Sequence, residues 1–181
     1  MKILEESGNR KVVLEDEGPP KYIVEPYPFT EEEQKLLKSS ERLFTPVELE
    51  TVRKEPDINL RKKVLYEYIK MKIPENPNKE ILINHIVYRV MGYQELGPLI
   101  ADPDLEEVMV NGVGMPVFVF HNKYGMCSTN ISFEDKNQLF KVINRLCWIH
   151  GKELAPIIDM SAIDGSRLNI TTDPIAIHGP S

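Results

Sequence analysis

The sequence is poor in cysteine and contains no long apolar run. Only two cysteines occur among its 181 residues, too few for a disulfide framework or a four-cysteine zinc site. We therefore expect Cys127 and Cys147 to be small core residues in a reducing compartment. No stretch reaches the roughly 18 consecutive apolar residues that a membrane helix needs. Acidic residues at positions 5 and 6 are not typical of a signal peptide.

The sequence also lacks an excess of basic residues. It carries 22 basic and 28 acidic residues, which gives a net charge of −6. Residues 1–33 hold four of the basic and nine of the acidic residues. Sequence-independent nucleic-acid binding needs a basic excess, so we expect no nucleic-acid partner. The hydrophobic content of 41% is enough for a folded core and excludes disorder of the whole chain.

Residues 1–29 are predicted to form an acidic, strand-rich arm. The segments Lys2–Glu6 and Lys11–Glu15, on either side of a Gly-Asn turn, are typical of a hairpin. A third strand, Lys21–Val24, is followed by two prolines, whose missing N–H groups suit a sheet edge or a linker.

Residues 30–94 carry helical signals. Thr30 with Glu33 three positions later is a capping box, and Thr45 with Glu48 repeats it, with a proline at the first helical position. Two apolar stripes follow at helical spacing: Leu60, Val64, Leu65, Tyr68 and Ile69, then Ile83, Ile86, Val87, Val90 and Met91. Because each stripe must pack on another, we expect a small bundle of two or three helices joined by proline turns.

Residues 95–181 change to an extended pattern. Three strands are predicted at Glu107–Val110, Val117–His121 and Met126–Ile131, then a helix from Glu134 to His150. Three further strands are predicted at Ile157–Ile163, Arg167–Thr171 and Ile175–Ile177. This order predicts a mainly antiparallel sheet with a helix on one face. The expected fold class of the whole chain is α+β.

Three groups of residues lack the partners that catalysis or metal binding requires. The histidines have no second ligand at metal-site spacing, the serines lack a Gly-x-Ser-x-Gly elbow, and the acidic run is typical of a solvated face or a cap. The histidines are His85, His121, His150 and His178, and the serines are Ser128, Ser132 and Ser166. The acidic run consists of Asp102, Asp104, Glu106 and Glu107. We assign no catalytic or metal-binding role to any of them.

The Walker A pattern for nucleotide phosphates is absent from these 181 residues. Gly151-Lys152 is followed by Glu153, and Leu146 stands where the first glycine of the pattern would be. The pair Gly112-x-Gly114 lies between predicted strands and indicates a hairpin turn. No hydrolase activity is therefore predicted for the chain by itself.

One arginine stands next to a turn signal. The sequence Asp164-Gly165-Ser166-Arg167 predicts a turn with Arg167 at the start of a strand. An exposed or ion-paired arginine is one interpretation. The other is an arginine aimed at phosphate, for which the planar, permanently charged guanidinium is well suited.

Several short motifs follow one another in the second half of the chain. They are Glu95-Leu96-Gly97-Pro98-Leu99, Asp104-Leu105-Glu106-Glu107-Val108-Met109-Val110-Asn111-Gly112, Pro116-Val117-Phe118-Val119, His121-x-x-Tyr124-Gly125, Thr129-Asn130-Ile131-x-Phe133 and Asp159-x-x-x-x-Asp164-Gly165-Ser166-Arg167. In this order they resemble the N-terminal part of secretion motor ATPases of the archaeal branch. The early segment Tyr22-x-x-Glu25-Pro26-Tyr27 is also similar to these proteins. The branch contains the motor ATPase of the archaellum, the archaeal flagellum, and the ATPases of type IV pili and type II secretion.

The resemblance implies a two-part architecture for a longer parent protein. Residues 95–181 would form a PAS-like α/β domain, followed by a RecA-like ATPase domain that holds ATP and Mg²⁺ and assembles a hexamer. Arg167 would reach the bound nucleotide. The last strand pattern runs to Ser181 without a polar tail, so we expect the parent to continue. The present chain is expected to be non-catalytic and to hold no cofactor tightly.

The resemblance also implies where the parent works and with what. It would be cytoplasmic and peripheral at the inner face of the cell membrane, docked on a polytopic platform protein and other cytoplasmic motor components. The residues alone leave two alternatives open: a stand-alone α/β sensor or adaptor domain that binds a small ligand or a protein, and a DNA-conjugation or uptake ATPase of the same superfamily.

Overall fold

The described residues form three strands, then a run of helices, then three strands, one helix and two more strands. The computed structural model describes residues 2–15, 18–162 and 164–173. The strands are β1 (Lys2–Ser7), β2 (Arg10–Leu14), β3 (Lys21–Val24), β4 (Leu105–Met109), β5 (Pro116–His121), β6 (Gly125–Ser132), β7 (Ile157–Ser161) and β8 (Arg167–Thr171). The helices are α1 (Glu31–Ser39), α2 (Pro46–Lys54), α3 (Ile58–Lys72), α4 (Lys79–Val90), α5 (Gly97–Ile100) and α6 (Lys136–Ile149). The predicted α+β class is confirmed.

Six strands form one sheet in the order β1-β2-β3-β6-β5-β4. All neighbours are antiparallel except β3 and β6, which pair in parallel through Lys21 with Ser128 and Tyr22 with Thr129. The side chain of Asn130 extends this junction, because it accepts from the backbone N–H of Val24 and donates to its carbonyl, both at 2.9 Å. The predicted arm strands therefore belong to the same sheet as the later three-stranded meander.

Strands β7 and β8 form a separate two-stranded sheet, whereas the sequence predicts that they join the meander. Their buried side chains, Ile158, Met160 and Ile170, lie in the unit that contains α1 to α4. An inward apolar face can be covered by helices as well as by a sheet, and strand order alone does not decide between these. Ile163 and the predicted strand Ile175–Ile177 lie outside the described residues.

Four helices, α1 to α4, occupy the region where the sequence predicts two or three. Both predicted capping boxes are confirmed: Thr30 pairs reciprocally with Glu33, and Thr45 with Glu48. A box satisfies donors at the helix start that have no intrahelical partner. The apolar stripe of α4 is buried as expected, with Leu82, Ile83, Ile86, Val87, Tyr88 and Val90 in the interior.

The exit from α4 requires a glycine. Gly92 has φ +98, and a Cβ at this position would lie 3.2 Å from the backbone of Leu146 in α6. Any other residue would be strained by the backbone angle and by this contact. The chain leaves α4 at Gly92 and immediately buries Tyr93.

Close contacts divide the described residues into two units. The first comprises those of Met1–Pro28, Pro98–Lys141 and Thr171–Ser181, and the second Phe29–Gly97 and Val142–Ile170. This grouping differs from the predicted division into 1–29, 30–94 and 95–181, because the parallel β3–β6 pairing unites the arm with the meander. Within the described ranges, no helix has the length and apolar character needed to cross a membrane.

Candidate functional site: the Arg167 turn

Arg167 is the first residue of β8 and is bound at its side by a carboxylate. Its Nε donates to Asp159 Oδ1 at 3.1 Å and its Nη2 to Oδ2 at 2.7 Å. The two side chains are 79% and 48% exposed, respectively. Hydrogen bonds from Arg167 hold the pKa of the Asp159 carboxyl below its ordinary range, and the carboxylate raises the pKa of the guanidinium. The predicted site residue is therefore an ion-paired arginine at the surface.

The turn before Arg167 is closed by its own hydrogen bonds. Asp164 accepts from the backbone N–H of Ser166 at 3.0 Å. The N–H of Ala162 donates to the carbonyl of Ser166 at 2.8 Å, and that of Gly165 to the carbonyl of Ala162 at 3.0 Å. Gly165 has φ +89, in the region that glycine adopts without strain. The predicted Asp-Gly turn thus defines the start of β8.

A buried tyrosine anchors this turn. Tyr93 is only 1% exposed, and its hydroxyl lies 3.0 Å from both carboxylate oxygens of Asp164. Burial is the main cause of a raised pKa for Tyr93, and the negative charge of Asp164 adds to it. The phenol is therefore a hydrogen-bond donor over the whole physiological pH range.

The charge of Asp164 in the turn acts on His150. Its Nδ1 lies 2.7 Å from the carbonyl oxygen of Leu146. Burial lowers the pKa of His150, while the hydrogen bond to Leu146 and the charge of Asp164 oppose that shift. The contact with Leu146 joins the ring to the last turn of α6.

The other histidines are dispersed. His85 is half-buried and packs edge-on against Phe29 with ring centroids 5.1 Å apart, and burial lowers its pKa. His121 is buried, and its Nδ1 accepts from the backbone N–H of Lys123 at 3.1 Å. His178 lies outside the described residues. Among the described side chains, no group of three or more His, Cys, Asp or Glu could hold a metal ion.

The acidic run before β4 divides into structural and exposed residues. Asp102 accepts from the hydroxyl of Tyr22 and pairs with Arg10 at 3.0 Å, while Asp104 accepts from Asn122 at 3.0 Å. Glu106 and Glu107 are exposed on β4. The side chain of Asp102 is only 10% exposed, and the sequence does not predict that this member of the run is nearly buried.

Within the part of the chain that the structure describes, the two cysteines and the three candidate serines show no catalytic arrangement. Cys127 and Cys147 are buried, and burial raises the pKa of both thiols, which makes them poor nucleophiles. Ser128 and Ser132 lie on β6. The backbone of Ser166 takes part in the Asp164 turn.

A small polar cavity lies in the first unit, whereas Arg167 belongs to the second. Its volume is about 150 Å³, which is large enough to hold water. Side chains of both charges line it, including Arg10, Lys11, Asp102, Asp104 and His121. The cations are paired within the protein, Arg10 with Asp102 and Lys11 with Glu25.

The Arg167 turn fits a phosphate group as a single-arginine contact. A guanidinium has five N–H donors, and Asp159 takes two of them. The nearby side chains offer no set of ligands for Mg²⁺ within the described residues. The N–H donors of Arg167 that Asp159 does not use could bind an anion such as a phosphate oxygen.

The sequence analysis did not predict two contacts of this site: the hydrogen bond of Tyr93 with Asp164 and the pairing of Asp159 with Arg167. The second was accessible, because residues alternate between the faces of a strand. Asp159 and Arg167 both lie at exposed positions of their strands, so a hairpin around the Asp-Gly turn brings them to one face. Tyr93 is 71 residues away from Asp164, and no local signal points to this contact.

Comparison with known proteins finds relatives but no family. No protein-family model matches the chain. It is 35% identical over 167 residues to the uncharacterized protein MJ1288 of Methanocaldococcus jannaschii, over 83% of this chain and 63% of that protein. Two other uncharacterized proteins of that organism are similar: MJ0781, 43% identical over 81 residues (43% of this chain, 11% of that protein), and MJ0900, 32% identical over 123 residues (65% and 22%). The chain therefore spans less than two thirds of each of these relatives.

Proposed function

We propose that this chain is the N-terminal regulatory and partner-docking part of a hexameric motor ATPase. The motor powers the assembly or rotation of the archaellum, or drives a type IV pilus or a type II secretion system. The archaellum is favoured because the archaeal-type N-terminal arm is present. The chain itself does not hydrolyse ATP in this proposal, and a RecA-like domain of the parent holds ATP and Mg²⁺.

The observation that carries the proposal is the presentation of Arg167. A guanidinium that is 79% exposed stands at the start of a strand, directly after a turn that is anchored from the interior by Tyr93. Such an arrangement suits a cation that must meet a phosphate of a neighbouring domain. The motifs from Glu95 to Arg167 follow one another in the order found in motor ATPases, and this resemblance supports the assignment to such a protein.

The relatives add support for a longer parent. The matched stretch makes up only 11% of MJ0781 and 22% of MJ0900. A segment that recurs inside much longer chains is expected of a domain that works beside others.

The proposal predicts that Arg167→Ala slows ATP turnover of the parent enzyme. A hydrogen bond to a charged group contributes about 1.5–3 kcal/mol, so kcat/KM should fall about 10- to 100-fold. Steady-state phosphate release by the purified full-length protein measures this. Arg42→Ala is the matched control, because Arg42 is also exposed in the second unit. Equal turnover in wild type and Arg167→Ala would reduce Arg167 to a surface arginine.

Partner docking is assigned to the surface of residues 1–92. The acidic arm and the helices offer exposed charged faces that could meet a polytopic membrane platform protein or other motor components. In this proposal the parent works in the cytoplasm at the inner face of the membrane. Co-purification of the platform protein with variants of exposed arm residues such as Glu6 tests this assignment, and unchanged capture by charge-reversed variants would count against it.

A second candidate function is favoured by the polar cavity of about 150 Å³ in the first unit. A stand-alone sensor or adaptor domain could hold a small polar molecule there. The coding sequence downstream of codon 181 separates the two candidates. A Gly-x-x-x-x-Gly-Lys-Ser/Thr motif there supports the motor ATPase, and a stop codon close to codon 181 supports the sensor.

A further inference from the structure

We propose that Asp159 is a positioning residue for Arg167: its carboxylate holds one edge of the guanidinium so that the other edge faces a nucleotide phosphate. This inference rests on the proposed function, because it takes Arg167 to contact phosphate. It adds a specific role for a second residue, which acts only through the arginine.

Among the described residues, only one binding edge of the Arg167 guanidinium is occupied. Asp159 occupies the side edge of the guanidinium, formed by Nε and Nη2, at 3.1 and 2.7 Å. Three of the five donors remain, and two of them, one N–H of Nη1 and the second N–H of Nη2, form the end edge. Guanidinium and phosphate pair through two parallel hydrogen bonds, and the end edge is sufficient for them. The carboxylate and a phosphate can therefore bind the same arginine together.

Both members of the pair stand on fixed backbone. Asp159 lies on β7, and Arg167 begins β8, the strand that pairs with it. The turn between them is closed by the hydrogen bond from Ser166 to Asp164, and Asp164 is tied to buried Tyr93. Side chains that project from regular elements are placed more accurately than those on loops. The pair thus directs the guanidinium more narrowly than the arginine alone could.

Preorganisation and charge act in opposite directions at this site. A free arginine loses rotamer freedom when it binds, and a carboxylate that has already ordered the side chain removes much of that cost. The negative charge of Asp159 weakens the attraction for phosphate, but the carboxylate is 48% exposed and solvent screens it. We therefore expect the ordering effect to dominate. If it does, removal of the Asp159 carboxylate weakens phosphate binding; if the charge dominates, removal strengthens it.

The test is Asp159→Asn in the full-length parent protein. Asparagine keeps the shape, but its amide NH₂ cannot accept from the guanidinium. The Kd for a non-hydrolysable ATP analogue, measured by calorimetry, should rise about threefold to tenfold, the effect of one unordered long side chain. Steady-state kcat/KM for ATP should fall by the same factor. The urea midpoint should stay unchanged, because exposed ion pairs contribute little to stability.

Matched variants isolate the pathway through Arg167. Glu67→Gln removes an exposed carboxylate from α3 in the same unit and should leave the Kd and kcat/KM unchanged. Asp159→Glu, which restores a carboxylate, should recover part of the loss. In the Arg167→Ala background, Asp159→Asn should add nothing.

The outcomes separate this inference from the function on which it rests. A Kd that is unchanged or lower in Asp159→Asn, while Arg167→Ala still impairs turnover, overturns the positioning role alone; a lower Kd would make Asp159 a competitor of phosphate. A further loss in the Arg167→Ala background overturns it as well. If Arg167→Ala has no effect on turnover, the proposed function itself fails.

Discussion

One buried hydroxyl connects the interior of the second unit to the Arg167 turn. Tyr93 is buried, and its hydroxyl reaches both oxygens of Asp164 at 3.0 Å. Asp164 in turn accepts from the N–H of Ser166, next to Arg167. Because the tyrosine follows directly on Gly92, a position where any other residue would be strained, the backbone at this point is closely defined. Two neighbouring residues thus determine where the turn sits.

Tyr93→Phe should destabilise the protein without changing its fold. The ring still fills its space, but the half-buried Asp164 carboxylate loses a donor, and a hydrogen bond to a charged group is worth about 1.5–3 kcal/mol. Urea unfolding at pH 7 measures the change. Tyr68→Phe is the control, because the ring of Tyr68 packs against Phe44 and its hydroxyl has no hydrogen-bond partner among the described residues. A loss as small as in the control would mean that the contact contributes nothing.

Helix α2 illustrates how an element can be determined by its first residues. The Glu48 carboxylate accepts from the N–H of Thr45 at 2.7 Å and from its hydroxyl at 3.0 Å, and it pairs with Lys72 of α3 at 2.9 Å. The bond from Thr45 N–H is the largest cause that lowers the pKa of Glu48 to about 2. The box therefore begins the helix and joins it to the next one.

The lowered pKa of Glu48 predicts a pH dependence of stability. Its ordinary value, about 4.3, applies to the unfolded chain, so the stabilisation is present above that pH and is lost as the pH falls toward 2. Glu48→Gln keeps an oxygen to cap Thr45 but cannot titrate. The variant should therefore lose less stability than wild type between about pH 4.5 and pH 2.

Urea midpoints at several pH values in this range measure the difference for Glu48→Gln. Glu67→Gln, which removes an exposed carboxylate from α3, should follow the wild-type profile. Parallel profiles for wild type and Glu48→Gln would show that the capping carboxylate has no titration linkage to folding.

At the scale of the whole molecule, the strand-rich N-terminal segment is part of a core. Val12, Val13 and Tyr22 are 2%, 0% and 2% exposed, and Tyr22 donates to Asp102, which also pairs with Arg10. Strand β3 occupies the edge of β6 that would otherwise be open. We therefore expect an arm that contributes half of a six-stranded sheet to be needed for the folding of that sheet.

Deletion of residues 1–28 should therefore unfold the first unit. Without β1 to β3, the apolar residues of the remaining strands lose their cover. Amide protection in β5 and β6 should fall by more than about 100-fold, since opening energies convert directly to exchange rates. Hydrogen exchange with mass spectrometry measures this, with Glu6→Gln on exposed β1 as the control. Retained protection would show that the arm is separable and that its deletion is a clean test of docking.

The local sequence was sufficient to locate most elements. Capping boxes at Thr30 and Thr45, the Gly8 and Gly165 turns and the proline breaks act within a few residues, so their physics is visible in a short window. The hairpin of β1 and β2, helices α3 and α6 and the meander strands lie close to their predicted positions. The same local turn placed Arg167 at the start of a strand.

Tertiary structure alone decided how these elements associate. Two of these associations join residues far apart in the chain: the parallel pairing of Tyr22 with Thr129 and the contact of Tyr93 with Asp164. The third is the separate β7–β8 pair, whose apolar face could also have packed on the meander. Such contacts depend on which of several burial arrangements leaves the fewest polar groups unsatisfied. That balance is a property of the folded chain as a whole, and no short window of the sequence contains it.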